Sequence, residues 1–251
     1  MDRASGYEPA GRGFESLQGY HRIIKGTDME ENKGTESGSN TSKLASLCKT
    51  YALLAYGFFA TGFTAYLVYN NVDADRLSTM RPFQICAFFI ALFLMCNVGR
   101  FASMRNRCLS LLCYTAFTCI HGYVLSGILI SSKVVPTICS ISITTGIFLV
   151  ASVIGMIVRK DLSEYSSILY GAVVAVIVAL AVNIILQHPW FNMFISCFAV
   201  PTFATLVFYD TDKILVKKET EGDCIVEYIL ATGLYWDVLN LFLHVLILRS
   251  I

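Results

Sequence analysis

Long gaps between the charged residues constrain the fold of this chain more than any other feature of its sequence. Between residues 49 and 210, five stretches lack Asp, Glu, Lys and Arg, and they contain 23, 18, 25, 25 and 45 residues. A transmembrane helix needs about 20 mostly apolar residues. Each of the first four stretches therefore suits one membrane span, whereas the fifth is too long for a single span.

The 45-residue stretch is divided by the sequence His188-Pro189-Trp190. Proline breaks a helix, and tryptophan favours the interface between membrane and water. A last apolar stretch, from Tyr228 to Leu248, is interrupted only by Asp237. The sequence therefore predicts an all-α integral membrane protein, a bundle of seven transmembrane helices.

The composition supports this fold class. Only 15% of the residues are charged, whereas soluble domains carry about 25%, which excludes a soluble enzyme. The net charge of +1 gives no reason to expect a nucleic-acid partner. The beginning of the chain differs, because it is rich in Gly, Ser, Glu and Asn. We predict a disordered polar cytoplasmic tail over residues 1–45 and a seven-helix membrane domain over residues 46–251.

The orientation of the bundle follows from its basic residues. Counted over alternate loops and tails, 15 Lys and Arg lie on the side of the N-terminus and 4 lie on the opposite side. Because Lys and Arg are enriched on the cytoplasmic side, we expect the N-terminus in the cytoplasm and the C-terminus across the membrane. Such a tail fits a bacterial inner membrane, which we favour, or an organelle membrane such as the endoplasmic reticulum.

Asp237 is the most informative residue, since it lies near the middle of the last predicted span. An acid there costs about 2.5–3.5 kcal/mol on insertion scales, so a functional role is the default hypothesis. The alternative is an acid that only forms a hydrogen bond to a neighbouring helix. Gly233, Asn240 and His244 share its helix face, at spacings of 4, 3 and 4 residues. This stripe of small and polar residues predicts a last helix at the centre of the bundle, or one that faces a polar cavity.

Asp210, at the end of the sixth apolar stretch, is the expected partner of Asp237. With a turn near residues 221–223, an antiparallel helix pair places the two acids within about one turn of the same depth. Two ionised carboxylates about 4 Å apart repel by about 4 kcal/mol at an effective dielectric of about 20. We therefore expect the pair to share one proton until near neutral pH and to act as a pH-sensitive gate. The spacing alone equally allows an Asp210 that is solvated at the membrane surface.

Three further ionisable residues are weaker candidates. His121 lies inside the third predicted span, where it either relays protons or packs as a neutral, hydrogen-bonded side chain. Arg100 and Arg105 follow the second span. They most simply determine the topology, although either one can reach an acid.

Four motifs resemble the Bax inhibitor-1 family, in the order in which that family has them. Residues 209–214 (YDTDKI) resemble its YDTQ-x-I signature at the end of the sixth helix, and residues 234–242 (LYWDVLNLF) resemble its LYLDxxNLF signature. Residues 159–163 (RKDLS) match its KKDLS loop, and residues 117–126 match a third-helix pattern. The resemblance covers about residues 45–251.

The resemblance implies a seven-helix bundle around its last helix and a calcium leak that responds to pH through Asp210 and Asp237. It also implies that an arginine of the second helix, matching Arg100 or Arg105, bonds the first of these acids. Family members often have Glu at the position of His121, so this chain departs from the family there.

Calcium is expected here as a permeant ion and not as a bound cofactor. Ca²⁺ takes 6 to 8 oxygen ligands. Asp210 and Asp237, with Asn240 and water, make a weak and transient metal site that the ion can leave. The expected partners are therefore Ca²⁺, H⁺ and membrane lipids, together with other membrane proteins in the alternative that follows.

Two other functions remain open. The first is a membrane regulatory protein that acts by binding, as a suppressor of cell death or a modulator of a membrane protease. The second is an intramembrane aspartyl protease, because two carboxylates that share a proton suit peptide hydrolysis. However, Trp236 stands immediately before Asp237, where presenilin-type proteases have glycine. We therefore expect no enzymatic activity.

The orientation is tested by a topology reporter fused after Ile251. We expect its signal on the non-cytoplasmic side, because seven spans separate it from a cytoplasmic N-terminus. The same reporter fused before Met1 is the matched control and should report the cytoplasm. A cytoplasmic signal from the C-terminal fusion would contradict the count of seven spans.

Overall fold

Seven long helices make up most of the chain that the computed structural model describes. The described residues are 44–72, 76, 79, 81–103, 107–131, 134–158, 163–186, 188–216 and 225–250. The helices are α1 (Leu44–Asn71), α2 (Arg81–Ser103), α3 (Arg107–Ser131), α4 (Val134–Val158), α5 (Ser166–Leu186), α6 (Pro189–Val216) and α7 (Ile225–Ser250). Within these residues there is no β-strand. The predicted tail lies outside the described residues up to residue 43, and its disorder stays a prediction.

The lengths of the helices agree with seven membrane spans. Six of them are long and apolar enough to cross a membrane, and in α2 the apolar segment is the shorter Pro82–Val98. The whole of α2 has 23 residues, or about 34 Å at 1.5 Å per residue, which exceeds a hydrocarbon core of about 30 Å. Helix α6 begins at Pro189, since proline fits the first position of a helix. The prediction of an all-α integral membrane bundle is confirmed.

Helix α7 lies at the centre of this bundle. Of its membrane-spanning window, 72% is buried, compared with 6% to 33% for the other five long spans. It packs against α2, α3, α4 and α6, and it reaches α1 through Tyr235. Helix α5 is the opposite case, because only 6% of its window is buried and it packs on α6. The expected central position of the last helix is therefore found in the structure.

The surface and the interior of the bundle differ as a membrane requires. Large apolar side chains face outward, among them Phe59, Ile157 and Ile185. The interior contains many buried Ser and Thr side chains, because small and polar residues hold helices together where lipid is as apolar as leucine. At Gly122 an added Cβ would meet the backbone carbonyl oxygen of Thr61. Helices α1 and α3 therefore approach each other at the level of their backbones.

Thr61 joins three helices at this level. Its hydroxyl lies 2.8 Å from the carbonyl oxygen of Gly57 and 3.0 Å from that of Thr118 on α3. The hydroxyl of Tyr235 on α7 lies 2.7 Å from the same Thr61 oxygen. Because the proton of Thr61 is donated to a carbonyl, the Tyr235 hydroxyl must be the donor in this third contact.

The donor assignment predicts unequal costs for two substitutions. Tyr235→Phe removes a donor and leaves no polar group unpaired, so we expect a loss of about 0.5–1.5 kcal/mol in the free energy of unfolding. Thr61→Val removes the acceptor and leaves the buried Tyr235 hydroxyl without one, so we expect about 1–3 kcal/mol.

Unfolding of the purified protein in detergent measures both losses. In the double variant we expect a cost below the sum of the two, because the unpaired hydroxyl is then absent. If the two single variants lost the same free energy of unfolding, and if these losses added in the double variant, the Tyr235 hydroxyl would not be the donor to Thr61.

Candidate functional site

The two acids that were expected to pair lie in the interior where α6 meets α7. Asp210 on α6 is 8% exposed and Asp237 on α7 is 7% exposed. Oδ2 of Asp210 lies 2.9 Å from the position that a Cβ on Gly233 would occupy, one turn before Asp237 on the same face of α7. Asp237 interacts electrostatically with Asp210. The packing of α6 on α7 thus brings both carboxylates to one buried site.

A lysine completes the charge distribution of this site. Lys213 follows Asp210 by three residues on the same side of α6, and it interacts electrostatically with Asp237. Its ammonium group lies 5.5 Å from the centre of the Tyr209 ring. The positive charge offsets part of the negative charge of the acid pair. Among the described residues, the site therefore brings together Asp210, Asp237 and Lys213 between the last two helices.

Small residues on both neighbouring helices allow this close packing. Gly233 gives Asp210 room against α7. On the other side of α6, a Cβ on Gly155 of α4 would lie 2.8 Å from the carbonyl oxygen of Phe208 and 3.0 Å from Cβ of Thr211. Helix α6 is therefore held between α4 and α7 at the level of Asp210, as small residues permit in membrane proteins.

The rest of the polar stripe on α7 has local partners. Nδ1 of His244 lies 3.0 Å from the hydroxyl oxygen of Ser196 on α6, and its ring stacks on Phe203. The side-chain amide of Asn240 donates to the carbonyl oxygen of Trp236 at 2.8 Å, within α7. His244 faces α6 as Gly233 does, but it lies about 10 Å along the helix from Asp237. Its hydrogen bond is with Ser196 and not with the acids.

His121 lies in an aromatic cluster and not at the acid pair. It is 3% exposed, and its Nδ1 lies 2.9 Å from the carbonyl oxygen of Phe117, so Nδ1 is the donor. Its Nε2 has no hydrogen-bond partner among the described residues. The ring packs edge-on against Phe117, Tyr235 and Trp236. These contacts are typical of a neutral packing role.

The side chains of Arg100 and Arg105 lie outside the residues that the structure describes, so their predicted contact with an acid stays a prediction. No group of three or more His, Cys, Asp or Glu side chains among the described residues could hold a metal ion.

Several buried polar contacts of these helices were not singled out by the sequence. Glu227 is buried in the first turn of α7, and its carboxylate lies 3.4 Å from the ammonium nitrogen of Lys49 on α1. Thr211, beside Asp210, forms a 3.0 Å hydrogen bond with the hydroxyl of Tyr51 on α1. Lys213 was also not assigned to the site from the sequence. Its position three residues after Asp210 was the signal that could have indicated it.

Comparison with known proteins identifies the family of this chain. The family described as "Inhibitor of apoptosis-promoting Bax1" matches residues 44–250, which include all seven helices and both acids. The chain belongs to the Bax inhibitor-1 family. The expected family is thus confirmed.

Relatives of this Bax inhibitor-1 family protein come from bacteria and from a virus. The Golgi anti-apoptotic protein of vaccinia virus (strain Lister) is 26% identical over 228 residues, which are 89% of this chain and 92% of the viral protein. The inner membrane protein YbhL of Escherichia coli K12 is 24% identical over 207 residues, 80% of this chain and 88% of its own. These relatives support an integral, multi-pass membrane protein. The choice of a bacterial or an organelle membrane stays a prediction.

The packing around Asp210 predicts different responses to two glycine substitutions. In Gly155→Ala the new methyl group meets a backbone carbonyl that cannot move alone, and we expect a loss of about 1–3 kcal/mol in stability. In Gly233→Ala it meets the mobile end of the Asp210 side chain, so the protein should fold with a smaller loss.

Thermal unfolding in detergent compares the two variants. Both replace a glycine inside a helix by alanine, so the gain in helix propensity is the same and cancels. A Gly233→Ala variant that is less stable than Gly155→Ala would show that Asp210 is held rigidly against α7.

Proposed function

We propose that this Bax inhibitor-1 family protein is a pH-sensitive leak channel for calcium, and more generally for cations, gated by Asp210 and Asp237. The observation that carries this proposal is the burial of both carboxylates at the contact between α6 and α7. Ionisable groups inside a membrane bundle are costly and usually mark an ion or proton pathway. A pair of them on neighbouring helices gives that pathway a group that responds to pH.

The gate depends on competition for the same oxygen atoms. With one proton shared, the pair links α6 to α7 by a hydrogen bond between a carboxyl group and a carboxylate. With both groups ionised, the two acids repel by about 4 kcal/mol at about 4 Å and a dielectric of about 20. Lys213 or an entering cation then balances the charge. Protons and cations therefore favour different arrangements of the same two helices.

The ligand set favours a leak over tight calcium binding. Two carboxylates, Asn240 and water would supply fewer strong ligands than the 6 to 8 oxygens of a typical Ca²⁺ site. An ion bound so weakly leaves quickly, which conduction requires. The low number of acidic ligands thus supports a transient site on a pathway.

Calcium flux into liposomes, measured against pH, tests the proposal. Wild-type protein should show a flux ratio between about pH 6 and about pH 8 that differs from one, since the pair is expected to change its protonation in this range. In Asp210→Asn and in Asp237→Asn the ratio should approach one, because only one acid remains and the shared proton is lost.

Asp212→Asn is the matched control. Asp212 lies on the same helix and is also buried, at 3% exposed, so this variant removes an equally buried charge two residues away from the pair. We expect it to keep the pH response, because Asp210 and Asp237 both remain. If both variants of the pair retained the wild-type pH response in folded protein, the gating proposal would fail.

A regulatory role that acts by binding is the second candidate. It is favoured by the name of the vaccinia virus relative, a Golgi anti-apoptotic protein. A variant that lacks residues 1–43 separates the two roles, because it keeps all seven helices. Unchanged calcium flux with loss of protection from cell death would favour binding through the tail. If calcium flux and protection from cell death were lost together, the leak would be favoured.

We propose no enzymatic activity for this chain. Trp236, which precedes Asp237, packs against Phe88 of α2 and His121 of α3. A bulky side chain therefore occupies the position where presenilin-type proteases have glycine. Cleavage of a membrane-spanning reporter by the purified protein would contradict this expectation.

A further inference from the structure

A cavity of about 710 Å³ lies between α1, α3, α4 and α7, away from the contact between α6 and α7. Among its described lining residues none is charged; most are aromatic or aliphatic, and eight of the twenty, three of them tyrosines, carry a hydroxyl group. Its size is within the range of about 300–1,000 Å³ that is typical of ligand pockets. This lining favours an apolar occupant.

The cavity is long. Its wall on α1 runs from Tyr51 to Tyr69 along one helix face, a rise of about 27 Å at 1.5 Å per residue. This length is close to that of a hydrocarbon core of about 30 Å. The cavity is therefore an elongated slot between the helices. An extended alkyl chain matches this length and the apolar lining.

The slot has an exposed rim and a buried floor. Tyr66 of α1 and Ile141 of α4 are 63% and 51% exposed, so the rim faces the lipid between these two helices. The floor consists of Val238, Leu239 and Phe242 of α7, and each of them is less than 9% exposed. An occupant can therefore enter sideways from the bilayer and come to rest on the central helix.

We infer that this slot binds one hydrocarbon chain of a membrane lipid. Cavities with apolar walls do not retain water and accept apolar guests instead, and in a bilayer the available apolar guest is an acyl chain. The floor begins at Val238, the residue after Asp237. The bound chain therefore contacts the same helix that carries one acid of the pair, on a different face.

A photoreactive phosphatidylcholine with a diazirine midway along one acyl chain tests the inference. The full chain is reconstituted with this lipid and irradiated, and the labelled residues are mapped by peptide mass spectrometry. We expect label on Val238, Leu239 or Phe242, in addition to label on outward-facing residues such as Phe59. Label on the outward-facing residues without any on the floor would overturn the inference.

Gly62→Phe should block the slot. Gly62 lies in its wall, and a Cβ added there meets no atom within 4 Å, so a larger side chain starts from open space in the wall of the slot. We expect at least a fivefold loss of label on the floor, with label on Phe59 unchanged. If Gly62→Phe does not fold, Gly62→Leu provides the same test with a smaller side chain.

Gly171→Phe is the matched control, because a Cβ at Gly171 of α5 also has open space around it and this residue does not line the slot. It should leave the label on the floor unchanged. Equal label in the two phenylalanine variants would overturn the inference. Label on the floor that appears only after removal of residues 1–43 would also overturn it, since the tail would then be the occupant.

Discussion

The burial of two carboxylates against each other, inside a bundle surrounded by lipid, is the constraint on which the rest of this structure depends. An acid can stay in that environment only if other protein groups surround it. This requirement explains why α7 is the most buried helix, with Asp237 facing α6. It also explains the glycine at position 233, because a larger side chain there would displace the carboxylate of Asp210.

The helices and their general arrangement were predictable because the signals are long and redundant. Each span extends over about 20 residues, so no single residue decides it, and the stripe through Asp237 and His244 indicated the most buried helix. The end of α6 was harder to predict from the sequence. The apolar stretch stops at Asp210, yet the helix continues to Val216 and buries Asp212. Charged residues there resemble a loop, but in the structure this turn packs against other helices, and the hydroxyl of Tyr51 on α1 donates a hydrogen bond to Thr211, between Asp210 and Asp212.

Apart from the pairing of Asp210 with Asp237, the choice of partners could not be predicted, because it depends on how the helices are rotated against one another. The sequence gives no sign that Lys49, on the first helix, meets Glu227 on the last one. The same is true of the slot, since its walls come from four helices and only their relative tilt decides whether space remains between them. His121 shows that the type of a residue in a span does not fix its role. From the sequence, a histidine inside a span allows proton transfer or neutral packing equally, and the three aromatic rings around His121 are typical of packing.

Helix α5 is the least buried of the long spans in the bundle. Nearly all of its spanning window faces outward, and among the described helices it packs mainly on α6. Its residues are therefore selected for solubility in hydrocarbon more than for fit to a neighbour, and any aliphatic side chain meets that demand about equally well. Over evolutionary time such a helix can change most of its residues and still span the membrane. Alignments of distant homologues should therefore become ambiguous first in α5, while the helix that carries Asp237 still aligns clearly.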